Sequence, residues 1–541
     1  MSWRRVLRRA GTAGVAAVLL GVLVETGCGS GPSTPTPPTG PGTPPPGGGG
    51  LPQPVGTLLR GPYLQHAENG VTVAWYTEAP SEGRVRWSLD EDTVGEAVSS
   101  AGTATRHEAQ IPSLRPGARY SYRVYSAHGL LASPSGTVDF SFRAPEADVL
   151  RLVAFGDSGE GSPGQIAIAR AVGAEAVAPD LVMIVGDVNQ PPASDASYDP
   201  RFFAPYRTLL PAFPFYAVLG NHDYEVEAGK ALLDVFTLPR NGPPGLAPES
   251  SYWLERAGAL MIVHDTNQSA ATLRAEALPW HTAVARRVAA FRFVFQHHTV
   301  YSSGPNGAVF PSGALRALLA PLYTDTGVDV VFNGHDHLYE RTRPIGGVVY
   351  VTTGAGGAPL YERHQTSPFT VAFVNDRHSF TQVEVRERTM RMRQTDTDGR
   401  EIDTLTITKP VVASDALRAF AASGRPPRGW EEPGFDDSRW AEAARPVFAS
   451  ALHARRGFDL QGPGEVGEAV VRVRGARDFV VHLNGVAVAS GTGDDDGSAF
   501  PVPPALLRAG ANALALEGHV QGDEASAPSL ELSLFSSSAP R

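Results

Sequence analysis

Between Leu150 and Phe332, five apolar runs of strand length alternate with stretches of helical character, and a short polar motif follows each run. The runs are Leu150–Phe155, Leu181–Val185, Phe215–Leu219, Phe291–Phe295 and Val328–Phe332, with helical stretches near 163–177, 199–210, 270–290 and 312–320. Runs bounded in this way read as buried strands, and strand–helix alternation builds a layered α/β domain. The motifs are Gly156-Asp157-Ser158-Gly159, Gly186-Asp187, Gly220-Asn221-His222-Asp223, His297-His298 and Gly334-His335-Asp336-His337. In α/β sheets, ligands gather outside the carboxyl ends of the strands, so the five motifs are expected to converge in space.

Composition narrows the chemistry. The chain has 541 residues, enough for several domains, and 42% of them are hydrophobic against 19% charged, which suits buried cores. A net charge of −10 argues against a nucleic-acid binder that works through a basic surface. Cys28 is the sole cysteine, which excludes a disulfide framework, a thiolate zinc site and a cysteine redox pair. Any metal must therefore be held by His, Asp, Glu or Asn.

The first 28 residues open with Arg4, Arg5, Arg8 and Arg9, followed by an apolar, small-residue run to Val24. That is the pattern of an export signal, too short and glycine-rich for a membrane span. With Cys28 directly behind it, the segment resembles a bacterial lipoprotein signal, although Glu25 departs from the usual apolar residue three before the cysteine. The resemblance implies a lipid-anchored protein of a bacterial cell envelope; an ordinary secretory signal is the alternative. In 29–50, 16 of 22 residues are Pro or Gly, so 29–56 reads as a semi-rigid tether.

Residues 57–145 carry short alternating runs, among them Val71–Tyr76, Arg84–Trp87, Tyr120–Tyr125 and Val138–Phe142, separated by turn signals. The pattern predicts an antiparallel β-sandwich, and the Leu114-x-Pro116-Gly117-x-x-Tyr120-x-Tyr122 spacing is similar to fibronectin type III domains. The catalytic candidate spans 146–409. Residues 411–541 form a third region, whose Gly429–Trp440, Phe479–Gly485 and Leu507–Leu514 segments resemble the galactose-binding-like β-sandwiches appended to exported enzymes. That resemblance implies a glycan partner or a purely structural role. Asp436 and Asp437 read as turn residues, with a calcium site as the alternative.

The five ordered motifs resemble those of the calcineurin-like metallophosphoesterases, and more closely the purple acid phosphatases, which also carry a fibronectin-like domain before the catalytic one. The resemblance covers residues 57 to about 409. It implies an α+β multidomain chain, with a central four-layer α/β/β/α sandwich flanked by two β-sandwich domains. It also implies two metal ions, from Fe, Mn or Zn, bridged by Asp187. Asp157 and His337 would complete one site, and Asn221, His297 and His335 the other. Oxygen and imidazole donors suit those metals. The expected reaction is phosphomonoester hydrolysis by in-line attack of a hydroxide generated at the metal pair. His222 is the expected acid for the leaving group, with Asp223 orienting its ring. His298 is assigned to substrate phosphate or to support of its neighbour. Tyr339 and Arg341 read as packing and surface.

Phosphodiesterase or nucleotidase activity is the near alternative. A metal-impaired, glycan-binding surface protein is the alternative of another class. Its motivation is Gln190, which stands where the purple enzymes place a tyrosine three residues after the bridging Asp, while Asp157-Ser158-Gly159 lacks the histidine of other relatives. The substitution argues against an Fe(III)–tyrosinate, so the protein is expected to be colourless unless Tyr198 or another tyrosine reaches in. Water or the Gln190 carbonyl would fill the gap. His264 reads as a histidine at a strand end, with a compensating ligand as the alternative.

Overall fold

The computed structural model describes residues 53–89, 93–190, 193–307, 311–412, 415–420, 424–442, 452–492, 498–520 and 528–538. The expected export signal, Cys28 and most of the tether lie outside the described residues.

Continuous apolar runs form the central strands because both of their faces are covered. Leu181–Ile184 is buried at every position, as are Ala259–His264, Phe291–Gln296 and Val330–Asn333. Two sheets result. In the first, Phe215–Ala217, Leu181–Ile184 and Val149–Phe155 lie parallel, and Ser379–Arg386, Thr389–Asp396 and Glu401–Val411 continue it antiparallel. In the second, Ala259–His264, Phe291–Gln296, Val330–Asn333 and Val349–Thr353 run parallel, with Tyr252–Arg256 on one side and Tyr339–Thr342 and Thr370–Val374 on the other.

Alternation along each strand decides what each face meets. Phe291, Phe293 and Phe295 join Val182, Ile184 and Phe380 in one core between the sheets, whereas Val294 and Val331 pack with Leu273, Leu315 and Leu319 of the flanking helices. The helix Pro163–Gly173 begins where Ser162 Oγ accepts the Gln165 N–H at 3.1 Å and Pro163 takes the first turn. The expected 199–210 helix is only a single wide turn, Asp199–Phe203. Helix Ser312–Thr326 runs longer than expected and stops at left-handed Gly327 (φ 70°).

The N-terminal region forms a three-stranded sheet (Arg60–Gln65, Gly70–Ser81, Ala104–Pro112) facing a six-stranded one around Trp75, Val85 and Tyr122. At the other end the first central sheet does not stop near residue 409. Glu401–Val411 pairs with Ser529–Ser536, which pairs with Glu468–Arg474, so nine strands form one continuous sheet. The sequence reads as a boundary there because 401–411 serves both neighbours, which no local pattern reveals. Trp430 and Trp440 stack at 5.9 Å and are buried, a core plug rather than an exposed platform. Asp436 accepts the Ser438 N–H and Asp437 pairs with Arg455, as turn aspartates do.

Candidate metal centre

The strand ends deliver their motifs through strained turns. Asp157, Asp187 and His335 hold left-handed backbone at φ 57°, 51° and 69°, an arrangement that costs a non-glycine residue about 1–3 kcal/mol and persists where the surroundings enforce it. Gly186 (φ 92°) has no room for a side chain, because a Cβ there would lie 2.2 Å from His297 Nδ1. A Cβ on Gly220 would lie 2.1 Å from Asp187 Oδ1. These glycines let the loops approach within bonding distance of the acidic and imidazole groups.

The side chains converge. Ligand atoms of Asp157, Asp187 and His297 all fall within 4.8 Å of one another, and all three residues are buried. His297 Nε2 lies 3.5 Å from Asp187 Oδ1 and 3.0 Å from Asn221 Oδ1. His337 Nε2 lies 3.4 Å from Asp157 Oδ1. The His335 backbone N–H donates to Asp157 Oδ2 at 2.9 Å, and its ring centre is 5.1 Å from that of His297.

The donor set fits metal ions. His297 Nδ1 donates to the Val185 carbonyl at 3.0 Å and His337 Nδ1 to the Pro359 carbonyl at 2.9 Å. A carbonyl only accepts, so each Nδ1 carries a proton and each Nε2 is the atom facing the carboxylates, free to serve as a lone pair once a cation takes the place of any proton held there. His297 Nε2 and Asn221 Oδ1 are then two acceptors 3.0 Å apart, a spacing suited to two ligands at about 2.1 Å from a shared ion. Among the described residues, the ion-pair partners of Asp157 and Asp187 are histidines alone. Burial, and next the neighbouring Asp157, push the Asp187 carboxyl upward. Burial opposes a charge on His337, yet its hydrogen bond to Asp157 and that carboxylate's charge bring it up to about 9. A proton is thus held where a cation would otherwise balance the acids.

His222 is part-exposed, with Nε2 4.0 Å from Asp187 Oδ2. The expectation that Asp223 orients its ring fails. The Asp223 carboxylate accepts the N–H groups of Gly220, Val188 and Asn189 at 3.0–3.1 Å, fixing the loops on either side of Asp187. Three backbone donors engage both oxygens of that buried carboxylate and hold it toward the loops, not toward the imidazole. Glu225, one helical turn along, instead meets His222 Nδ1 at 2.9 Å. His298 is buried, its Nδ1 is 2.9 Å from Thr266 Oγ1, and burial followed by the neighbouring His297 pulls it down to about 3.

Gln190 is buried, its N–H donating to Gly159 O at 2.9 Å and its backbone carbonyl accepting from Arg201. Its Nε2 has no hydrogen-bond partner among the described residues. Tyr198 packs against Phe202 in the core. His264 ends its strand bonded to His281 at 2.8 Å, away from the acidic cluster. Arg341 is buried rather than superficial, and with Tyr339 it grips Asp403 across the two sheets.

Glu225, Thr266 and Tyr361 escaped the sequence reading. Tyr361 stacks on His337, and its only local signal is an aromatic in a glycine- and proline-rich stretch.

Residues 150–339 match the family model described as calcineurin-like phosphoesterase. The chain is 23% identical to purple acid phosphatase 3 of Arabidopsis thaliana over 302 residues, which is 50% of this chain and 80% of that protein. It is 24% identical to acid phosphatase type 7 of Mus musculus over 407 residues, 63% of this chain and 88% of that one. The structure of purple acid phosphatase PPD1 from yellow lupin (Lupinus luteus) seeds superposes with a TM-score of 0.55 at 19% identity, over 64% of this chain and 74% of that chain, a likeness of fold. The chain thus carries a calcineurin-like metallophosphoesterase domain with purple acid phosphatase relatives, and this homology supports a phosphatase hydrolase.

Proposed function

We propose that the chain is an exported phosphatase that hydrolyses phosphomonoesters at a binuclear metal centre. The observation that carries this reading is the pair of imidazoles with carbonyl-anchored Nδ1 atoms, His297 and His337, facing Asp187 and Asp157 at 3.5 and 3.4 Å. Asp187 would bridge, Asp157 and His337 would hold one ion, and Asn221, His297 and His335 the other. Two bound divalent ions supply Lewis acidity toward phosphoryl oxygens and lower the pKa of water from about 15.7 toward about 7.

The chain's own groups do the rest. Asn221 offers a neutral carbonyl and so leaves positive charge for the substrate. Glu225 accepts from His222 Nδ1, which sets the ring so that Nε2 can deliver a proton to the leaving oxygen. Asp223 keeps Val188, Asn189 and Gly220 in place around Asp187. Around this centre we read an α/β/β/α sandwich, a fibronectin type III-like domain before it and a galactose-binding-like domain after it. Export rests on the N-terminal arginines and apolar run; lipidation would fall on Cys28. Among the described residues, no helix is long and apolar enough to cross a membrane.

The deciding experiment measures metal content beside hydrolysis of an aryl phosphate, with Mn, Zn or Fe added. Two ions per chain, with turnover lost in Asp187→Ala, support the reading. One ion or none, with no turnover under any metal, favours the metal-impaired binding protein that Gln190 motivates.

A further inference from the structure

The N-terminal β-sandwich packs Tyr63 and Tyr76 on Phe203 of the loop behind the bridging aspartate and sends one charged side chain into it. Arg60, only 5% exposed, donates through Nε to Asp199 Oδ1 at 2.7 Å and through NH2 to Asp199 Oδ2 at 3.0 Å. Its NH1 donates to Asp195 Oδ1 at 2.7 Å, and NH2 also meets the Asp195 backbone carbonyl at 2.9 Å. The guanidinium lies over the rings of Tyr76 and Phe203, 5.2 Å from each centre. This is a forked, charge-assisted clamp on two carboxylates of one segment, a geometry that Arg supplies and Lys does not.

The clamped segment leads back to the metal centre through one short turn and the side-chain hydrogen bonds of Asn189. Asp195 opens the short turn Asp195–Ser197. Ser197 Oγ accepts from Asn189 Nδ2 at 2.7 Å, and Asn189 Nδ2 also donates to the Ser194 carbonyl at 3.2 Å. Asn189 is two residues after Asp187, and its N–H is fixed by Asp223. Asp187 sits in a left-handed turn that only its surroundings maintain.

We propose that Arg60 is a positioning residue of the metal centre, acting through Asp195, Ser197 and Asn189 on Asp187, so that the N-terminal sandwich tunes metal affinity rather than serving as a passive scaffold. The inference rests on the metal-centre reading above. Without the clamp, Asp195 and Asp199 repel one another and the turn that supports Asn189 is free to shift.

The test is calorimetric titration of the metal-stripped full chain with Mn2+, beside kcat and KM for an aryl phosphate. Arg60→Ala is expected to weaken Mn2+ binding about tenfold and to lower kcat more than it raises KM. Ser197→Ala, which leaves the domain interface intact, is expected to reproduce the loss if Arg60→Ala folds poorly. In the double variant the two losses should not add, because both break the same chain of contacts. Tyr122→Phe is the control; it removes the Tyr122 hydroxyl bond to the Pro211 carbonyl (2.9 Å) in the same interface without touching the loop, and should leave Mn2+ affinity unchanged. Affinities of Arg60→Ala and Ser197→Ala within twofold of wild type would overturn the proposal. So would additive losses, or an equal loss in Tyr122→Phe. A wild-type chain that binds no Mn2+ would sink the metal-centre reading itself, and this inference with it.

Discussion

Tyr361 lies flat against His337, with ring centres 4.0 Å apart and planes within 14°. Its N–H donates to the His337 carbonyl at 2.9 Å, so the stack is fixed from the backbone as well. A ligand bound by His337 Nε2 lies in the imidazole plane, and a parallel ring keeps its hydroxyl a ring thickness away from that plane. Iron-loaded protein is therefore expected to be colourless. A visible tyrosinate-to-iron band that disappears in Tyr361→Phe would contradict this.

Glu225 takes the orienting role at His222, and the need for a proton donor grows with the basicity of the leaving group. General acid catalysis contributes about 10²–10⁴-fold. Glu225→Ala should thus slow an alkyl phosphate about a hundredfold while slowing a nitrophenyl phosphate far less. Equal slowing of both substrates would remove Glu225 from that role.

Gly220 borders Asp187 so closely that any side chain intrudes. Gly220→Ala is expected to cut hydrolysis by about a hundredfold, the scale of an ångström misplacement, and to lower bound metal with it. Metal analysis and turnover on the folded variant check this together.

Lys409, one of only two lysines, is fully buried between the central domain and the C-terminal strands. Its Nζ lies 2.7 Å from Asp329 Oδ1 and 3.2 Å from Glu531 Oε1, and Arg472 joins Glu531 at 2.9 Å. Burial works against a charge on Glu531, yet Lys409 and then Arg472 hold its carboxyl below the usual range. Removing one partner of a buried ion pair costs about 3–5 kcal/mol. Lys409→Ala should lose about that much in denaturant unfolding, with the central and C-terminal regions melting together. A change below about 1 kcal/mol would contradict it.

Burial pulls His264 down to about 4, and His281, bonded to it at 2.8 Å, also titrates well below its ordinary value. An unfolded histidine titrates near about 6.5. Between those values the unfolded chain binds protons that the folded one refuses, so stability falls as pH drops from about 6.5 to about 4. The loss from His264 alone is roughly 3 kcal/mol. Urea midpoints at pH 7 and pH 4.5 should separate less in His264→Gln than in wild type; an unchanged separation would count against the pair.

The motif set at the strand ends was legible because its information is local. An apolar run, a glycine and a polar residue specify a buried strand and the turn that exposes its last side chain. That local pattern places Asp157, Asp187, Asn221, His297, His335 and His337 in loops at strand ends, while their choice as ligands comes from the resemblance to the metallophosphoesterases; in the structure Asp157, Asp187 and His297 cluster, with Asn221, His335 and His337 beside them. Glu225 could not be preferred over Asp223 from sequence, because both follow His222 within three residues. The backbone donors that claim Asp223 come partly from a loop more than thirty residues earlier.

The sequence by itself determined the succession of strands, the glycines that open the loops and the donor types available to a metal. Tertiary structure alone decided which groups hold those donors in place. Arg60 meets Asp199 across 139 residues of chain and Lys409 meets Asp329 across 80. Tyr361 meets His337 from a separate loop. Such pairings depend on how two sheets stack and on which strand lies next to which. Those relations are set by the burial of whole faces, and no single segment carries them.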